Sequence, residues 1–211
     1  MRDWWLDKKV EEWTAGVETL AKIATKYPQT AYAGFTKSLQ AEWQYISRVV
    51  PGVEAHLEPI ETAIRKHLIP ALIRVKPAEV DDDLRQLLAH GVKFGGMSLR
   101  NPAGGANCLF QASSQAAAVL VASLLRNGDL DALAHKEQVR TAGAEARTEK
   151  TTAEAAAVEA LKVGALKKEI KRIDRIGKCG IWIGQMSDKL NGNILSRDEW
   201  LDNIRLRYCH W

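Results

Sequence analysis

The sequence predicts a mostly α-helical protein: a helical bundle, then a glycine-rich loop and further helices, one of them long and weakly packed. Three observations predict this. Apolar residues in the first third recur at alternating steps of three and four, the spacing of one helix face. Pro28, Pro51 and Pro70 fall where those apolar stripes end or restart. Residues 129–175 contain no proline, and within them 140–160 are almost wholly alanine, glutamate, threonine, lysine and arginine, which favours helix but supplies little apolar surface.

In the first helix Leu6, Val10, Trp13, Val17 and Leu20 build one stripe, with Asp3 as the expected N-cap and Tyr27-Pro28 as the stop. A second helix is expected from near Thr30, with Tyr32, Phe35, Leu39, Ile46 and Val50 on one side and Pro51-Gly52 at its end. The third carries Val53, Leu57, Ile60, Ile64 and Leu68 and runs toward Pro70. Short joints between helices of this length favour antiparallel neighbours, so residues 1–77 read as a small bundle.

Residues 78–128 read as a connection region. Asp81, Asp82 and Asp83 precede Leu84, Leu87 and Leu88, an acidic start for a short helix. Gly91, Gly95, Gly96, Asn101, Pro102, Gly104 and Gly105 then crowd together. Glycine costs about 1 kcal/mol relative to alanine in a helix interior, so an ordered loop is expected, with Met97 to Arg100 extended. It is either a plain surface connection or a place where backbone approaches another backbone, or a phosphate, closely. An alanine-rich helix follows from Asn107 to about Arg126, closed by Asn127-Gly128. Residues 129–178 form a long charged helix or linker, in which Leu166, Ile170, Ile173 and Ile176 restore an apolar stripe. In 179–211, a C-terminal helical segment, Trp182 and Ile183 precede a turn centred on Gly192. Ser196 and Glu199 then form a capping box ahead of Leu201, Ile204 and Tyr208.

At 211 residues, 46% hydrophobic and 27% charged, the chain is long enough to bury a core without disulfide staples. No run approaches the roughly eighteen uninterrupted apolar residues of a membrane helix, and the start (Met1, Arg2, Asp3, Trp4) is no signal peptide. An intracellular location, nuclear or cytoplasmic, with no membrane partner is therefore expected. Cys108, Cys179 and Cys209 are scattered and form no CxxC pair, so they read as reduced thiols. The formal net charge of +4 permits nucleic-acid binding without arguing for it.

No enzyme motif is present. His56, His67, His90, His135 and His210 make no metal-spaced pair, and phosphate-loop, dinucleotide and nucleophile-elbow patterns are missing. Asp81 to Asp83 suit a helix dipole better than a metal, and Cys209-His210 lacks a matching pair elsewhere. No catalytic residue, metal or cofactor is expected.

Cation clusters are better represented. Lys162, Lys167, Lys168, Lys171, Arg172, Arg175 and Lys178 crowd one stretch, and on a helix Lys167, Lys171, Arg175 and Lys178 share a flank. A solvated face is the ordinary reading of such a run, but an acidic stretch precedes it (Glu137 to Glu159), and segregated charge favours binding. Lys37, Arg48, Arg65, Lys66, Arg74 and Lys76 add cations to the second and third helices, with Trp43 and Tyr45 between them. Rings stack on bases while cations meet phosphates; core is the commoner fate of a tryptophan at helical spacing, and the sequence alone leaves Trp43 open to either reading.

Several phrases resemble the region that follows the palm in eukaryotic non-LTR retrotransposon reverse transcriptases: AYAGFTKSLQAEWQYISRVVPGV (Ala31 to Val53), LEPIETAIRKHLIPAL (Leu57 to Leu72), GGMSLRNPA (Gly95 to Ala103), FQAS (Phe110 to Ser113) and LSRDEWLDNIRLRY (Leu195 to Tyr208). Their order and spacing cover about three quarters of the chain; the stretch from about Leu133 to Lys162 is matched only in length and charge. The resemblance implies a thumb-like bundle at 1–77 that grips template–primer duplex by its backbone. A palm carrying paired aspartates for two metal ions would lie before Met1, as a separate or upstream partner. Family members continue past this point with a glycine and a cysteine/histidine zinc element, whereas here Tyr208 is followed by Cys209-His210-Trp211, implying a truncated or decayed reading frame. The expected function is thus that of a nucleic-acid-binding fragment of an RNA-directed DNA polymerase, with no polymerase activity of its own. RNA or RNA–DNA duplex is the expected partner, and Lys37, Trp43, Arg48, Arg65, Lys66, Lys167, Lys171 and Arg175 the expected contacts. A helical scaffold protein, or a relic without function, is the competing expectation.

Overall fold

The computed structural model describes residues 2–163, 166–178, 180–184 and 192–208, and all regular structure among them is helical. Helix α1 (Arg2–Ala24) lays Leu6, Val10, Trp13, Val17, Ala21 and Ala24 into the core. It already includes Asp3, so Asp3 sits inside the first turn and does not cap it; its side chain lies outside the described residues. Pro28 does not stop a helix so much as start one, standing at the first position of α2 (Pro28–Gly34), where its missing N–H costs nothing.

Helix α2 passes through a wide π turn (Phe35–Leu39) into α3 (Gln40–Val49), and α4 (Glu58–Ala63) likewise passes through Ile64–Leu68 into α5 (Ile69–Ile73). The third expected helix therefore runs through Pro70 and past it to Ile73. The wide turn just ahead explains how: it loosens the ladder where the proline ring would clash and where an N–H is missing. Arg74, with φ 60°, ends that helix in a left-handed turn.

Helix α6 (Asp82–Ala89) starts as expected, with the Asp81 carboxylate accepting the Leu84 N–H at 2.8 Å. The next segment is irregular and wraps the end of α6: the Met97 and Leu99 N–H groups both donate to Leu88 O at 3.1 Å, and both side chains are fully buried. A Cβ on Gly96 would stand 2.1 Å from His90 O, so this glycine serves a close approach of backbone to backbone. Helix α7 (Pro102–Leu125) begins five residues earlier than Asn107, taking Gly104 and Gly105 into its first turns. The Asn101 side chain accepts the Gly104 N–H at 2.8 Å and Pro102 fits the first helical position, and that start outweighs the glycine penalty. Asn127 (φ 52°) and Gly128, whose N–H donates to Ser123 O, close it.

The charged stretch is an ordered helix, α8 (Ala132–Ala160), capped by Asp131 and running back along α7 as a hairpin, the most extensive helix pairing in the fold. It buries only Ala142 and Glu154, in keeping with the weak packing expected of so polar a segment. Helix α9 (Lys167–Lys178) buries Ile176 and half-buries Ile170, but Leu166 is 70% exposed and stands outside the expected stripe. The side chains of Ile173 and Lys178, together with Cys179, Cys209 and His210, lie outside the described residues. Helix α10 (Arg197–Tyr208) has the capping box: Ser196 N–H donates to Glu199 Oε2 at 2.7 Å and Glu199 N–H to Ser196 Oγ at 3.3 Å. Trp200, Leu201, Ile204 and Tyr208 complete a core cluster that begins at Leu6.

Candidate nucleic-acid interface

The expected contact residues divide sharply by burial. Trp43 is 1% exposed, its ring 5.8 Å from Phe35 and 6.2 Å from Trp13, so it is core and unavailable to a base. The exposed ring is Tyr45, 64% open on the outer side of α3. Lys37 and Arg48 are exposed on the same side, since positions 37, 41, 45 and 48 fall on one helical face.

Arg65 is committed within the chain. Its Nε and Nη2 donate to Val80 O at 3.0 and 2.9 Å and its Nη1 to Asp82 Oδ1 at 2.6 Å, tying the helix it sits on to the start of α6. Three donors already placed leave Arg65 a positioning role, not a phosphate contact. Lys66 is exposed and lines two shallow grooves, one shared with Glu18, Lys22 and His67 and one with Arg65, Asp82 and Arg85. Lys167, Lys171 and Arg175 are all exposed along α9, while Ile176 packs inward over Gly95 and holds that flank outward. Lys162 does not extend the run: it is paired with Glu159 at 2.6 Å and Asp174 at 2.8 Å.

Sequence spacing does not reveal a further group of cations. Arg100, at the end of the irregular segment, donates its backbone N–H to Gln40 Oε1 at 2.9 Å and its Nη1 to Gln44 Oε1 at 3.0 Å, which ties it to the helix that carries Tyr45. Lys150 on α8 is half-buried, and its pKa is pushed below the ordinary lysine value by that burial and by repulsion from Arg100 and, more weakly, Lys93. Glu154 offsets this only in part, 3.6 Å from the Lys150 ammonium, because its other oxygen accepts the Gly91 N–H at 3.3 Å. Lys93 lies on the 3-10 turn (Val92–Phe94), against which both α8 and α9 pack. Arg100, Lys150 and Lys93 come from positions far apart in sequence, and no period or phrase links them. Only the crossing of α8 over the Gly91 turn brings them together.

Like charges held close are repulsive unless a counter-charge is delivered. Exposed cations together with the exposed Tyr45 ring suit a polyanion that also carries flat apolar groups. Among the described residues no group of three His, Cys, Asp or Glu side chains could hold a metal ion. Compared with family models, curated proteins and solved structures, the chain matches none.

Proposed function

We propose that this chain binds nucleic acid by its phosphate backbone and works as the helical, thumb-like part of a reverse-transcriptase-like polymerase whose catalytic palm is supplied elsewhere. The observation that carries the binding half is the repulsion that half-buried Lys150 feels from Arg100 and, more weakly, Lys93, with Arg100 bonded to Gln44 on the helix that also carries Tyr45 and Arg48. The polymerase half rests on the sequence resemblance. In this reading Arg100, Lys150 and Lys93 meet successive phosphates, Lys167, Lys171 and Arg175 extend the track, and Tyr45 stacks on an unpaired base at the end of a duplex. Such contacts position a duplex without reading its sequence.

The test is fluorescence anisotropy with a labelled RNA–DNA hybrid bearing a short single-stranded overhang, titrated at low and moderate salt. Binding should weaken steeply with salt, and each phosphate contact removed by Arg100→Ala or Lys150→Ala should lower the log–log salt slope by about 0.9. Absence of binding at low salt by a folded, monodisperse sample would defeat the proposal.

A second reading is a helical scaffold, and one observation favours it: Leu124, Leu125 and Leu133 at the tip of the α7–α8 hairpin are 70%, 82% and 82% exposed. It predicts binding partners that ignore the removal of Arg100, Lys150 and Lys171.

A further inference from the structure

Helix α7 carries no charged residue in its 24 positions, and it buries only Pro102, Ala103 and Ala106; from Asn107 to Leu125 no residue is buried. One side lies on α8 and α3. On the side left open, Gln111, Ala118 and Leu125 recur at heptad spacing with Val121 beside them, all exposed; Gln115, also exposed, stands nearer α8, its backbone carbonyl accepting from Gln138 Nε2 at 2.9 Å. An exposed helix of an isolated chain ordinarily alternates in polarity and carries charge outward. This one does not.

We propose that a second copy of the chain covers this face, two α7–α8 hairpins meeting about a two-fold axis as a four-helix bundle. The area fits. At about 1.5 Å per residue α7 is about 36 Å long, and two helices side by side are about 20 Å across, giving a face of about 700 Å². A standard interface takes about 800 Å² from each partner. Val121, Leu124, Leu125, Leu130, Leu133 and Val139, on α7, α8 and the turn between them, are 42–82% exposed, and open aliphatic surface of this kind marks interaction sites.

Charge does not oppose it: helix α7 brings no ion to be desolvated. A lipid surface is the competing occupant, because α7 has a mean hydropathy of 1.6 over an 18-residue window and is long enough to cross a bilayer. Gln111, Ser114 and Gln115 weigh against lipid: in hydrocarbon their polar groups would lack partners, whereas across an axis they can bond to one another.

The test is light scattering coupled to size exclusion at about 100 µM, a concentration at which a micromolar dimer is mostly assembled. The whole chain should run at twice its 23.4 kDa. Ala118→Glu and Leu125→Lys should each weaken association at least tenfold with unchanged helical circular dichroism, while Ala118→Ser keeps the dimer. A 23.4 kDa species at that concentration, a dimer indifferent to both charged variants, or flotation of the chain with phosphatidylcholine vesicles would overturn the proposal. None of these readouts involves nucleic acid, so their failure is distinct from failure of the binding reading.

Discussion

The Tyr32 hydroxyl donates to Met97 O at 2.8 Å, joining the second helical run to the irregular segment across 65 residues. This one bond, with the packing of the Tyr32 ring 5.5 Å from Trp200, links three stretches that sequence reading separates into different segments. Burial pushes the Tyr32 hydroxyl well above the ordinary tyrosine range, so it stays a donor at every pH at which the protein folds. Tyr32→Phe should cost about 1–2 kcal/mol, the penalty for leaving a buried carbonyl unsatisfied. A chemical-denaturation midpoint checks it, and a loss that varied between pH 6 and 9 would contradict the assignment.

Arg85 and Glu61 form a two-pronged ion pair, Nε to Oε1 at 2.6 Å and Nη2 to Oε2 at 2.5 Å, with side chains only 6% and 12% exposed. Arg85 Nη1 also donates to Leu99 O at 2.8 Å. Removing one partner strands the other charge in a poorly hydrated place. Arg85→Ala should therefore destabilise by about 3 kcal/mol or more, while Arg85→Met with Glu61→Leu should recover most of that loss. Thermal unfolding of the single and double variants measures the difference.

Trp43 and Tyr45 make opposite predictions although they are two residues apart. Trp43→Ala should cost about 3–5 kcal/mol of folding stability through the cavity it leaves. Tyr45→Ala should change stability by less than about 0.5 kcal/mol, as an exposed position does, yet weaken binding to a hybrid with an overhang by about 1–3 kcal/mol if the ring stacks on a base. Equal affinity of Tyr45→Ala and the parent chain for that ligand would remove Tyr45 from the interface.

His90 is 9% exposed and its pKa is held below the ordinary histidine value, chiefly by burial, with the Glu154 charge opposing. The folded state therefore resists protonation that the unfolded chain accepts. Stability should be full above about pH 6.5 and should fall as the pH drops from there toward the depressed native value. His90→Gln cannot titrate and should flatten the decline in melting temperature between pH 7 and 5. An unchanged slope would mean that another group controls it.

Much of the fold is legible in the sequence because its signals are local. The α1 stripe from Leu6 to Val17, the Asp81 cap on α6 and the Ser196–Glu199 box each need only a few neighbouring residues, and each stands as read. The misreadings have physical causes of the same kind. Pro70 and Gly104 are breakers by intrinsic preference, but a wide turn before one and an Asn101 cap before the other compensate within a few residues. Local preference is a small term, and a good start or a loosened ladder outweighs it.

The candidate interface was legible only in part. That Lys37, Arg48, Lys167, Lys171 and Arg175 face solvent follows from helical spacing. Spacing could not tell Trp43 from Tyr45, because which side of a helix is buried depends on what packs against it. It could not show that Arg65 is spent on Val80 and Asp82, since both partners lie in another helix's approach.

The sequence by itself therefore determined the helices, most of their ends and the sign of the charge, all properties of residues within a turn or two of each other. The tertiary structure alone decided which cations meet. Lys150 feels the charges of Arg100 and, more weakly, Lys93 because α8 folds back along α7 and seats Glu154 on the Gly91 N–H. Electrostatic interaction depends on distance in space, and the chain encodes that distance only through the packing of its whole core.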